Sequence, residues 1–103
     1  MPRLHLIERA DGMVPIDRAQ GLWESGNWVM SSDTARSLVG GQVYFHKRQA
    51  DRSHFGGEIT GFRVLGDEHP EVGRVVIEFK PSNAGKNVLA GAGGWGMEMK
   101  IVP

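Results

Sequence analysis

No cysteine occurs among the 103 residues, which excludes a disulfide framework, a zinc ribbon, an iron–sulfur site and a thiol nucleophile together. No run approaches the roughly 18 apolar residues of a membrane span. The first nine residues interleave Arg3, Glu8 and Arg9 with Leu4, Leu6 and Ile7, so a secretory leader's apolar stretch is missing too. Net charge is absent as well, with 12 Lys and Arg against 12 Asp and Glu, so bulk basicity gives no argument for nucleic acid. These absences predict a soluble cytoplasmic protein with no membrane association, no metal and no cofactor. At this length a single domain, 1–103, is expected.

Glycine is plentiful, with 15 residues, about twice its usual ~7% share. It is spread along the chain, which argues for tight turns and short strands rather than long helices. Residues 4–7 form a short candidate strand, and 10–26 reads as irregular. Residues 27–30, rich in β-formers, lead to Ser31, Ser32 and Asp33, a helix N-cap with an acid in the first turn. The helix is expected over 33–39, with Ala35, Leu38 and Val39 on its apolar face and Gly40 and Gly41 ending it. It serves as a crossover between two strands.

Residues 42–47 alternate Val43 and Phe45 against Tyr44 and His46, which is strand periodicity. A polar loop follows over 49–57. Strands over 58–65 and 74–80, joined by turn chemistry at 66–71, predict a hairpin. Another loop occupies 81–87, and Met97, Met99 and Ile101 alternate with polar neighbours in a last strand, the two methionines read as core fillers. The sum is a mainly β (α+β) domain. It is expected as a small, partly open β-barrel of five to six strands with one short crossover helix, since closure removes exposed edges.

In that order, Trp28-Val29-Met30, the capped helix, Gly41-Gln42-Val43-Tyr44-Phe45-His46-Lys47 and Gly57-Glu58-Ile59-Thr60-Gly61 resemble the PUA-like pseudobarrel superfamily. Its EVE and ASCH branches are nearest, over about residues 27–80. The Gly-x-Lys-x-x-Glu-x-Arg signature of the ASCH branch is absent. The resemblance implies a pseudobarrel that binds RNA or an unpaired, often modified base in a cleft beside the helix.

Charge is uneven along the chain. Residues 34–66 hold Arg36, Lys47, Arg48, Arg52 and Arg63 against Asp51 and Glu58. The loop 46–54 is the densest part, and Lys47, Arg48 and Arg52 can neutralise phosphates while His54 adds a secondary contact. A solvated loop kept soluble by its charges is the competing account. Stacking needs flat faces, worth about 1–3 kcal/mol per base, and Trp23, Trp28, Tyr44 and Trp95 are the candidates. Trp23 and Trp28 bracket a Glu-Ser-Gly-Asn turn, and Trp95 sits in a glycine-rich loop. Core packing competes for Trp28, as it does for Phe45, Phe62 and Phe79.

Other letters carry less. His46, Asp51 and His54 do not have a recognised metal-ligand spacing. Asp51, Ser53 and His54 contain a triad's residue types, but loop neighbours rarely reach its ~3 Å geometry. The sequence therefore predicts a nucleic-acid or modified-base binding module, RNA or single-stranded DNA being the partner. Two alternatives stand beside it. One is a small metal-independent hydrolase of a modified nucleoside or amide, using Lys47, His54 and Glu58. The other is a phage or mobile-element factor that docks a protein partner.

Overall fold

The computed structural model describes residues 1–8 and 12–103. The described residues form seven strands and one α-helix: β1 (Arg3–Ile7), β2 (Val14–Asp17), β3 (Leu22–Trp28), α1 (Ser32–Leu38), β4 (Gln42–His46), β5 (Phe55–Val64), β6 (Val75–Pro81) and β7 (Met99–Val102), with a 3-10 turn at Asn83–Gly85. All seven strands join one open mixed sheet in the order β2-β3-β6-β5-β4-β1-β7. Among the described residues, β1 and β4 are the one parallel pair. The Cα radius of gyration, 12.8 Å, is that of a well-packed chain of this length. The expectation of a mainly β protein with one short helix holds, with seven strands in place of five or six.

The extra strands come from the segment expected to be irregular. Residues 10 and 11 lie outside the described residues, but from Val14 onward the segment is a hairpin. Pro15 is tolerated because β2 is an edge strand, where a missing N–H breaks no central ladder. The Asp17 carboxylate accepts from the Gln20 N–H at 3.1 Å, and Gly21 takes the left-handed φ of +70° that closes the turn. Trp23 and Trp28 therefore lie within one strand and do not bracket a turn. A bulge between Ser25 and Trp28 restores the phase, so Trp23, Ser25 and Trp28 stand opposite Phe79, Ile77 and Val75. A second bulge between Ile59 and Gly61 likewise lets both Ile59 and Phe62 face the same side.

That side is the core. Leu4, Leu6, Val43, Phe45, Ile59, Val75, Ile77 and Phe79 pack with Trp28 and with Ala35 and Leu38 of the helix, and Trp23, Phe55 and Phe62 pack against them. The helix starts as its sequence dictates, the Ser31 hydroxyl accepting from the Thr34 N–H at 3.1 Å and Asp33 pairing with Arg36 at 2.9 Å. It stops at Leu38, one residue earlier than expected. Val39 takes an extended backbone and is exposed rather than part of the apolar face. Gly41 is required there, since a Cβ would stand 2.3 Å from the Pro2 carbonyl oxygen.

The last strand also starts late. Gly96 and Met99 exchange backbone hydrogen bonds at 2.7 and 3.1 Å, closing a tight turn in which Met97 adopts φ +56°. Met97 is 88% exposed and is no core filler, whereas Met99 packs on the core. No helix among the described residues is long and apolar enough to cross a membrane.

Candidate nucleic-acid interface

The sheet's other face is built differently. Strand alternation sends His5 and Ile7 of β1, and Tyr44 and His46 of β4, away from the core. In register across this face stand Lys100, His5, Tyr44 and Gly56. His5 and Tyr44 stack with ring centroids 4.9 Å apart and 22° between planes. His5 Nδ1 lies 2.9 Å from His46 Nε2, and His46 Nδ1 lies 2.8 Å from the Asp51 carbonyl oxygen. All three rings are buried.

Trp95 covers them. Its ring meets His46 edge-on at 5.8 Å and His5 at 6.3 Å. The glycine-rich loop that carries it is fastened by Lys100, whose ammonium donates to the carbonyls of Ala90 and Gly91. Trp95 Nε1–H donates to Gly91 O at 3.2 Å, bracing the loop from within. Burial pushes the His5 imidazole down from 6.5 to about 4, helped by the positive potential of His46, Lys100 and Arg3. It is neutral at pH 7.

The 46–54 loop lies against the 83–97 segment. Ser53 is its anchor: its hydroxyl donates to Gly85 O at 2.8 Å and accepts from the Val88 N–H at 3.0 Å. Backbone bonds from Ser53 N to Val88 O and from Asn87 N to Ser53 O, each 2.8 Å, complete the clasp. Arg52 donates to Asn87 O at 3.1 Å, and Gln49 reaches Met97 O at 3.0 Å. Gly56 and Gly85 touch backbone to backbone, a Cβ on Gly85 falling 2.3 Å from the Gly56 carbonyl carbon. That close approach sets the 83–88 turn where Ser53 meets it.

Two grooves flank the glycine-rich loop. One, of about 360 Å³, is lined by Gln49, Ala50, Leu89, Gly91 and Ala92. The other, of about 310 Å³, has Trp28, Val29, Arg74, Met97 and Met99 in its lining. The Gln49–Met97 hydrogen bond spans the ground between them.

The sequence-derived candidates separate under this geometry. Lys47, Arg48 and Arg52 are exposed on the loop, and Trp95, from 40 residues further on, reaches the same region. Arg48 is held by Asp51 through two hydrogen bonds of 3.0 and 3.1 Å, which offsets part of its charge and raises its pKa. His54 is half-buried and gives its backbone N–H to Phe45 O. Trp28 lies in the core with its indole N–H on Ser25 Oγ at 3.1 Å. Trp23 packs against Phe55 at 5.4 Å. Tyr44 is covered by His5. Of the four aromatic candidates, Trp95 is the one outside both the core and the buried rows.

The Ser53 hydroxyl has both of its roles occupied by backbone groups, so no nucleophile of the Ser-His-Asp kind is formed. Lys47 and His54 sit beyond the Phe45–Phe55 pair, while Glu58 pairs with Gln42 at the far end of the β4–β5 ladder. Three residues of strand, about 10 Å, separate those pairs, and the proposed hydrolytic set is not gathered. No group of three or more His, Asp or Glu suited to a metal occurs among the described residues.

The sequence reading passed over His5, Lys100, Gln49 and Arg74. His5 had a signal, a polar ring inside the apolar run Leu4-His5-Leu6-Ile7. The others become visible only when β7 and the loops are placed. No protein-family model matches the chain, and no characterised protein or solved structure matches it either.

Proposed function

We propose that the protein binds single-stranded nucleic acid, RNA or DNA with an unpaired or modified base, across the surface formed by the 46–54 loop and the glycine-rich loop, in the manner the PUA-like resemblance implies. One observation carries this reading. Two segments some 40 residues apart in sequence are clasped through Ser53, Arg52 and Gln49, so that exposed Lys47, Arg48 and Arg52 share a neighbourhood with Trp95 and two grooves. In this reading the basic side chains hold phosphate, His54 is a secondary contact, and a base enters the groove lined by Trp28 and Arg74.

Fluorescence anisotropy with a labelled single-stranded RNA and its DNA counterpart tests it. Binding is expected at low salt. The Arg48→Ala, Arg52→Ala double variant loses affinity, and its salt slope flattens by about 0.7 for each phosphate contact removed. No binding at low salt, or an unchanged slope in the double variant, rejects the reading.

A second reading, a factor that docks a protein partner, is favoured by Val29, 70% exposed, and Met97, which line the second groove. It gains if oligonucleotides fail to bind while Met97→Glu abolishes co-purification of one defined partner.

A further inference from the structure

The buried histidines touch both halves of the proposed surface. His46 reaches into the 46–54 loop through the Asp51 carbonyl, and Trp95 of the glycine-rich loop covers His5 and His46 together. The hydrogen-bond direction is forced. A carbonyl only accepts, so His46 Nδ1 carries the proton and its Nε2 holds a lone pair. With both rings neutral, His5 Nδ1–H donates to that lone pair at 2.9 Å, which leaves the lone pair on His5 Nε2 as the pair's point of entry for a further proton.

The surroundings oppose that proton. From β7, Lys100 stands opposite His5. Arg3 lies two residues away on the same face of β1, and from β4 come His46 and the uncharged Tyr44. The covering loop contributes Trp95 and no charge to the contact. Carboxyl-bearing residues adjoin the row as well: the buried Glu8 gives its N–H to His46 O, Glu98 O accepts from Ile7 N, and Asp51 O accepts from His46 while the Asp51 carboxylate is held by Arg48. A proton on His5 thus creates a buried cation beside Lys100 and Arg3, and what separates it from water is the Trp95 loop. Gly91 and Gly94 take φ of +86° and +83°, and at Gly93 no heavy atom lies near the missing Cβ, so the loop's middle stands clear of the rest of the molecule and Lys100 and the Trp95 ring are what hold it down.

We propose that the His5–His46 pair is a proton-operated latch: neutral, it seats Trp95 and ties the two loops into one surface, and on taking up a proton it releases Trp95 and opens that surface. Gly91 and Ala92 line the groove beside Gln49 and Leu89, so lifting the loop dismantles a groove wall. The latch regulates the surface assigned above, and its role in nucleic-acid binding rests on that assignment, whereas the motion itself does not. The depressed basicity of His5, about 4, sets where release occurs.

The test uses the full chain without oligonucleotide. Emission and acrylamide quenching are recorded for the native protein and for Trp95→Phe from pH 7 downward, the difference isolating Trp95, with far-UV circular dichroism reporting the fold. The Trp95 contribution is expected to shift to the red and become quenchable with a midpoint between pH 4 and 5, while the dichroism is unchanged. His5→Phe, which keeps a ring against Tyr44 but cannot titrate, loses the step. Nitrogen-15 spectra of the histidine rings of the native protein need no variant, and show His5 protonated on Nδ1 at pH 7 and titrating with the Trp95 signal. A Trp95 contribution that stays flat until global unfolding, a step retained in His5→Phe, or a proton on His5 Nε2 at pH 7 overturns the latch. A pH step in a protein that binds no oligonucleotide supports the latch and removes only the nucleic-acid reading. Binding at pH 7 with no step does the reverse.

Discussion

On one side of β4, Val43 and Phe45 lie within a hydrocarbon cluster closed by a helix. On the other side of the same five residues, Tyr44 and His46 are also buried, beneath a loop with four glycines and one tryptophan. The first side is held by non-directional burial, and many shapes of side chain satisfy it. The second is held by a few directed contacts, His5 to His46, His46 to Asp51 O, and Lys100 to two loop carbonyls, each of which fails if one partner changes its protonation or position. Depth of burial therefore does not measure permanence here. The apolar face fixes the fold, and the polar face is the one that can open.

The largest expected effect belongs to the apolar face. Phe79 is fully buried and meets the rings of Phe45 and Phe55 at 5.1 and 5.8 Å. Phe79→Ala should lower unfolding stability by about 3–5 kcal/mol in a urea titration, since the cavity sits at the centre of the sheet and cannot collapse. A loss under 1 kcal/mol would mean that the two faces do not differ as described.

Acid should act through the polar face. The His5 imidazole titrates near 4 when folded and near 6.5 when not, so above pH 6.5 both states are neutral and stability is unaffected. As pH falls through that window the unfolded chain takes up the proton first, and native stability declines, by about 3 kcal/mol at the lower end. Urea titrations at pH 7, 6, 5 and 4.5 measure the decline, and His5→Phe should remove that part of the slope. Should the variant show the same slope as the native chain, the acid sensitivity belongs to other groups.

The two faces were not equally legible in the sequence. The helix cap at Ser31, the alternation around Phe45 and the β5–β6 hairpin are local signals, written in neighbouring residues, and the structure follows them closely, except that β5 starts at Phe55, three residues inside the stretch expected as loop, because Phe55, Gly56 and Gly57 pair with β4. The β2–β3 hairpin escaped because a bulge breaks the two-residue period between Trp23 and Trp28, so the pattern did not read as one strand. The polar face escaped for another reason: His5, His46, Trp95 and Lys100 come from three distant stretches, and only the parallel pairing of β1 with β4 and the docking of β7 bring them together. Trp95 was visible as a tryptophan in a glycine-rich loop, although its cover for two histidines was not.

Ser53 joins the two loops and should give an intermediate effect. Removing its hydroxyl in Ser53→Ala leaves the Gly85 carbonyl and the Val88 N–H without their side-chain partner in a buried place, at a cost of about 1–3 kcal/mol. Hydrogen exchange should localise the loss, protection falling at Val88 and Asn87 while the amides of β5 and β6 keep theirs. Uniform loss across the sheet would make the clasp part of the core.

Arg48 and Asp51 give the smallest effect on stability and the sharpest contrast between stability and binding. Their pair is well formed geometrically, but the Arg48 side chain is 78% exposed, and solvent screens such a pair so that it adds little to stability. Asp51→Asn should therefore leave the urea midpoint within error, because the backbone carbonyl that His46 uses is untouched. The same change frees a guanidinium that its own loop now partly neutralises. If the 46–54 loop holds phosphate, Asp51→Asn should bind a single-stranded oligonucleotide more tightly than the native protein at low salt, with a steeper salt slope. A variant that is equally stable but binds no better would place Arg48 outside the contact, leaving Lys47 and Arg52 as the loop's phosphate ligands.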